Sequence, residues 1–228
     1  MEEVYKYIAL YLARATPFIL FACITLVIIR FNKVSANFRV LFYYLVLSLL
    51  ANLGMKLIAY YWGNNLIVIP LFGFFELALF TVLYARHMDL KKVSNLVWVV
   101  GIIGCGYILY ETCTVNTIVP SEFQSYSRPI SAFIIVCYSM IYFFDKLLKG
   151  TDLNDSTIKL NATILVFFSL NIIFLLPMNF LIGENSNYVK FYFWIAYTLI
   201  VVLFYLTITF SIWKNGRTPK RLHSGSES

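Results

Sequence analysis

Charge is what this sequence has least of. Only 13% of its 228 residues are Asp, Glu, Lys or Arg, against roughly a quarter in an ordinary soluble domain. Histidine occurs twice, at positions 87 and 223, too few for an HExxH helix or a pair of haem ligands. The four cysteines, Cys23, Cys105, Cys113 and Cys137, form no CxxC and no Cys/His cluster, so neither a metal site nor a disulfide scaffold is expected. A GxSxG elbow, a Walker loop and a Ser-His-Asp set are all missing. Asp89, Asp145, Asp152 and Asp155 fall in loops or at the edges of apolar runs, which argues against an intramembrane aspartyl protease. No lysine falls in the middle of the last apolar run, where a retinal Schiff base would need one. The expectation is a non-enzymatic protein with no cofactor.

What is abundant is apolar residue: 61% of the chain is hydrophobic and the mean hydropathy is +0.78. A folded soluble domain still exposes about a quarter to a third of the surface its chain offers and could not hide so much. The lipid bilayer is the partner that composition implies. Crossing its hydrocarbon takes about 20 mainly apolar residues in a helix. Seven such runs are present: Tyr7–Ile29, Val40–Trp62, Leu66–Ala85, Asn95–Thr112, Pro129–Leu148, Leu160–Ile182 and Val189–Trp213. They are too long for barrel strands and lack a period of two. Pro129 suits the first turn of a helix, where its missing N–H costs nothing. The expected fold is therefore all-α, a polytopic bundle of seven transmembrane helices over residues 1–213. A basic, then Ser-rich, disordered tail over 214–228 completes it. Glu2-Glu3 stands where a signal peptide would carry basic residues, so the first run reads as a span.

The basic residues are distributed unevenly. Arg30, Lys33, Arg39, Arg86, Lys91, Lys92, Lys146, Lys149, Lys159, Lys214, Arg217, Lys220 and Arg221 fall on one side. Lys6, Arg14, Lys56, Arg128 and Lys190 fall on the other or in spans near it. Lys and Arg accumulate in cytoplasmic loops, so the N-terminus is expected outside and the C-terminus in the cytoplasm. The net charge of +7 is then a topology signal, and no direct nucleic-acid binding is expected. Lys91, Lys92, Lys214, Arg217, Lys220 and Arg221 are the candidate contacts to a cytoplasmic partner or to anionic lipid.

An ionisable residue inside a span is costly and is by default a functional candidate. Arg14, Lys56 and Glu76 are read as such residues. At a rise of about 1.5 Å per residue they lie about 10, 9 and 15 Å from the outer face. In the second span Tyr44, Ser48, Asn52, Lys56 and Tyr60 recur every four residues, one polar stripe that should face the bundle. Gly63-Asn64-Asn65 reads as a tight turn to the third span. Counted from its centre, Lys56 and Glu76 differ in depth by about 6 Å, within reach of a Lys56–Glu76 ion pair that Arg14 would join. Asn171 and Asn179, flanking Pro177, extend the candidate pocket from the sixth span. Thr198, Tyr197 and Tyr205 add polar groups in the seventh, and Gly101, Gly104 and Gly106 permit close helix approach in the fourth. Interhelical hydrogen bonding without a ligand remains the alternative for these groups.

Asn64-Asn65-Leu66, Pro70-Leu71-Phe72 and Phe74-Phe75-Glu76, with Phe193-Trp194-Ile195, Leu203-Phe204-Tyr205 and Ile212-Trp213-Lys214, resemble a family of small seven-helix inner-membrane proteins widespread in Bacteroidota. The shared features are an Asn-Asn turn before a third-helix Glu and a Trp-rich last helix. Family members commonly carry a His before that Glu and another near the last-helix Trp, and neither His is present here. The family's members often lie near signalling genes. The resemblance implies an inner-membrane accessory or sensor protein that binds a ligand outside and signals to a cytoplasmic partner. By size and topology alone the chain also resembles membrane accessory proteins of type VI-B CRISPR loci. That likeness implies a modulator of phage defence, pore-forming or otherwise, with a CRISPR effector as partner. A small transporter is the third reading, and the oligomeric state is left open.

Overall fold

The computed structural model describes residues 2–34, 36–88, 90–114, 125–150, 155–181 and 187–215. Among these residues seven helices are long and apolar enough to cross a membrane, and there is no strand. They are α1 (Glu2–Ile28), α2 (Ala36–Trp62), α3 (Val68–His87), α4 (Lys91–Thr114), α5 (Ser127–Leu148), α6 (Ser156–Leu181) and α7 (Asn187–Asn215). The chain is a multi-pass membrane bundle. Its outer surface carries Phe18, Phe21, Ile102, Ile103, Leu203 and Phe210 largely exposed, a pattern that suits lipid and not water.

Successive helices run in opposite directions, so the ends of the bundle differ. The basic end holds Arg30, Arg86, Lys91, Lys149 and Lys214, and the opposite end holds the α2–α3 turn and the start of α5. The Gly63-Asn64-Asn65 turn forms as its residues dictate. Gly63 sits at φ +71°, a conformation that costs glycine nothing. The Asn64 side chain accepts the Leu66 N–H at 2.9 Å, and the Asn65 amide donates to the Met55 carbonyl at 3.2 Å.

In lipid the hydrophobic effect does not drive one helix onto another, so close packing must. Three helices form the tightest part. α4 lies against α3, and α5 packs on both and on α6. A Cβ at Gly101 would fall 2.3 Å from Thr81 Cγ2, and one at Gly104 would fall 2.7 Å from Ile134 and 2.8 Å from Leu77. Absence of a side chain is what lets α4 close on this seam. Gly106 meets nothing within 4 Å, so only two of the three glycines expected to allow close approach do so. On the other side α1 packs along α7 and α2. The core at the centre is aromatic: Tyr44, Phe80, Phe168 and Phe204 meet largely edge to face, the arrangement ring quadrupoles prefer.

α5 begins two residues earlier than Pro129 suggests, at Ser127. Proline then occupies the third helical position, still within the turn that lacks intrahelical acceptors. α7 runs through Trp213 and Lys214 to Asn215, so the helical bundle takes in the first two residues of the expected tail. The remainder of that tail, Arg217, Lys220 and Arg221 included, lies outside the described residues.

Candidate functional site

Glu76 is buried in the half of the bundle away from the basic end, with 1% of its side chain exposed. It sits eight residues into α3, about 12 Å from that helix's start, and faces α2 on one side and α5 on the other. The Tyr44 hydroxyl donates to its Oε1 at 3.2 Å, and the Ser131 hydroxyl donates to Oε2 at 3.2 Å. Its counter-ion is Arg128, whose Nε lies 3.6 Å from Oε2. Arg128 and Ser131 are three apart on α5, hence on one face. The guanidinium donates to the Tyr197 hydroxyl on α7 at 3.3 Å and lies 4.6 Å above the Phe72 ring, within cation–π range. Phe72 and Glu76 are themselves four apart on α3. One face of α3 thus offers a carboxylate and a ring to a single guanidinium.

The position of Arg128 is fixed from behind. Glu111 on α4 is buried, and its Oε1 accepts the N–H groups of Tyr126 and Ser127 at 2.8 and 3.2 Å. These are N–H groups that the start of a helix leaves without intrahelical partners. A carboxylate from a neighbouring helix therefore caps α5 immediately before Arg128.

A cavity of about 270 Å³ opens from this pair toward the non-basic end. Its walls come from α1 (Ala13, Thr16), α2 (Tyr44, Ser48, Ala51, Asn52, Met55, Lys56), the turn and α3 (Asn65, Val68, Ile69, Phe72) and α7 (Trp194, Tyr197, Thr198, Val201, Tyr205). Arg128 and Phe167 complete it. Two cations therefore line it, Arg128 inside with 16% of its side chain exposed and Lys56 exposed nearer the turn. Among the described residues no Asp or Glu lines it. A mainly apolar chamber with a few convergent polar groups is the usual form of a small-molecule site.

Of the residues expected in a pocket, Ser48, Asn52 and Lys56 do line this cavity, along with Tyr44 from the same stripe. Glu76 lies behind it, bonded to the lining groups Tyr44 and Arg128. The expected Lys56–Glu76 pair does not form. The contacts Tyr44–Glu76 and Met55–Asn65 share one midpoint, residue 60. The hairpin is therefore centred within α2, not at the turn. Lys56 then stands level with Asn64, twelve residues or about 18 Å from Glu76. Arg14 is exposed on α1 and does not line the cavity, so the three charges do not converge. Asn171 is buried away from the cavity, with neither amide atom hydrogen-bonded among the described residues. The Asn179 side chain lies outside the described residues. Among the basic-end candidates, Lys91 opens α4 and is exposed with Lys92, and Lys214 is exposed near the end of α7.

Arg128, Ser131 and Glu111 escaped the reading of the sequence as site residues. Arg128 directly precedes Pro129 and counts naturally with the loop charges. Its one sequence signal is Ser131 three residues on, a second polar group on the same face. A second polar cluster lies deeper, toward the basic end. The Tyr84 hydroxyl donates to Asn161 Oδ1 at 2.7 Å and the Ser139 hydroxyl to the same atom at 2.9 Å. Asn161 Nδ2 donates to the Ser139 carbonyl at 2.9 Å. No group of three or more His, Cys, Asp or Glu among the described residues could hold a metal ion.

No protein-family model matches the chain, and no curated protein or solved structure matches it either.

Proposed function

We propose that this chain is an inner-membrane receptor that binds a small acidic ligand in the α1/α2/α3/α7 cavity and signals to a cytoplasmic partner. The observation that carries this is the state of Arg128. Its charge is balanced by Glu76, its position is set by the capped start of α5, and yet part of its side chain faces the cavity. A merely structural ion pair gains nothing from opening onto a chamber, whereas a ligand anchor must. Lys56 adds a second positive group, and a cavity with two cations and no lining carboxylate favours an anion. The basic loops favour a cytoplasmic location for the opposite end, so the cavity would be filled from outside. There Lys91, Lys92 and Lys214 would face the partner.

The test is thermal unfolding of the detergent-purified protein with phenylacetate, phenethylamine or phenethyl alcohol. These probes share a ring and differ in charge. Phenylacetate should stabilise saturably, by about 2.7 kcal/mol at one hundred times its Kd, and the amine and alcohol should not. Lys56→Gln should weaken that response. Equal stabilisation by all three probes, or by none, would overturn the reading.

A further inference from the structure

The cavity shares its inner wall with a second space. Phe167 on α6 forms part of that wall, and the same side chain is the inner edge of a groove between α6 and α7 of about 390 Å³. The groove is lined by Ala162, Val166, Leu170, Ile200, Leu203 and Phe204, with two threonines. Val166 and Leu203 are 59% and 62% exposed, so it opens sideways on the face a membrane would cover. Phe167 is the residue that lines both spaces. Phe167 and Phe204 stack with centroids 3.6 Å apart and planes 4° from parallel. Phe204 in turn meets Tyr44, which holds Glu76.

The two spaces differ in chemistry in an ordered way. The outer one has Lys56, Arg128, Asn52 and a set of hydroxyls. The inner one has aliphatic and aromatic walls and no charged residue. They also differ in depth. Groove residues 200–207 lie on average farther along α7 than cavity residues 194–205, toward the basic end. A polar site beside an apolar groove, offset along the helix axis, matches a molecule with a charged head and one long chain. A 150 Å³ apolar cavity is enough for benzene, about six heavy atoms. A space of about 270 Å³ therefore takes a head group and the first few carbons, and the rest of a chain needs the groove.

We propose that the cavity and the groove are one site for a single-chain amphiphile with a carboxylate head, which reaches it from the side, between α6 and α7. This rests on the receptor reading above and adds the ligand class and the route. The head would meet Arg128, since a guanidinium suits a planar carboxylate, with Lys56 as a second positive charge nearer the turn. The chain would lie against Leu203 and Val166, with the Phe167–Phe204 stack as the barrier it displaces. A single groove offers room for one chain only, which separates this ligand from a two-chain phospholipid.

The experiment embeds the full chain in phosphatidylcholine nanodiscs and irradiates it with palmitate carrying a mid-chain diazirine. Label should concentrate on residues 162–170 and 200–207. A tenfold excess of palmitate should reduce it at least fivefold. Hexadecanol, hexadecyltrimethylammonium and phosphatidylglycerol should not. Leu203→Trp, which fills the groove from its exposed side, should abolish that label. Label spread over the whole lipid-facing surface overturns the proposal, as does equal competition by hexadecyltrimethylammonium or phosphatidylglycerol. Stabilisation by phenylacetate without competed palmitate label removes the amphiphile and keeps the receptor reading. Competed label at the groove without stabilisation by phenylacetate also overturns the one-site proposal, because the chain then binds without the anion pocket. Absence of both removes the two readings together.

Discussion

Two polar clusters sit on the same faces of α3 and α5, eight residues apart on each helix. Glu76 meets Ser131 in the outer one, and Tyr84 and Ser139 meet at Asn161 in the inner one. The inner cluster is neutral and buried, and the Asn161 amide is engaged through both its oxygen and its nitrogen. The outer cluster holds a full charge pair, and its cation borders a cavity. Neutral hydrogen bonds suffice to join α3, α5 and α6 at one level. The charge one tier away therefore serves something other than joining helices, because a buried ion pair is seldom more stable than apolar packing of the same volume.

The sharpest way to break the contrast is to remove one charge. Glu76→Gln or Arg128→Gln alone leaves a charge without its partner and should cost about 3–5 kcal/mol. The double change should recover most of that. Thermal unfolding followed by a thiol-reactive dye, with Cys105, Cys113 and Cys137 replaced by Ala, reads this, since Cys23 is buried until the bundle opens. A loss in the double variant equal to the sum of the two single losses would mean that the pair is not coupled. The inner cluster should yield less. Asn161→Ala removes its shared acceptor and donor and should cost about 1–2 kcal/mol, in the upper range for hydrogen bonds between membrane helices. No second substitution should rescue it, because no charge is left stranded. The smallest effect belongs to Lys56→Met. An exposed lysine level with the turn should change stability by no more than about 0.5 kcal/mol, while lowering the response to phenylacetate. A large loss of stability at Lys56 would restore it as a partner of the buried carboxylate and refute the register derived from Tyr44 and Met55.

Much of the fold was legible in the sequence, and less of the site. Runs of apolar residues with glycine, asparagine and proline at their ends set the spans, because a bilayer demands length and internal hydrogen bonding whatever the tertiary packing. The Ser48–Asn52–Lys56 stripe pointed inward for a similar reason, since four-residue spacing keeps polar groups together on one face. The partner of Glu76 was not legible, because it depends on which helices touch. α3 meets α5, its second neighbour in the chain, and Arg128 reaches the carboxylate from there. The turn sequence shows that α2 and α3 are adjacent. It does not show that α2 overshoots, so that Tyr44 rather than Lys56 comes level with Glu76. For α6 the asparagine that bonds is Asn161, near the helix start, while Asn171 in the middle of the run finds no partner among the described residues. Composition alone ranks those two residues the wrong way round.

The glycine seam between α3 and α4 has a consequence for how this sequence can drift. Position 101 has room for a side chain only if position 81 surrenders its methyl and hydroxyl, and position 104 only if residues 77 and 134 both retreat. The block at 101 is the stiff, branched Thr81 side chain, whereas at 104 it is the flexible ends of Leu77 and Ile134, which can shift at less cost. Related sequences that keep the fold should exchange residues 101 and 81 together, in opposite directions of size. Position 106, which faces open space, should wander freely among the small and apolar residues.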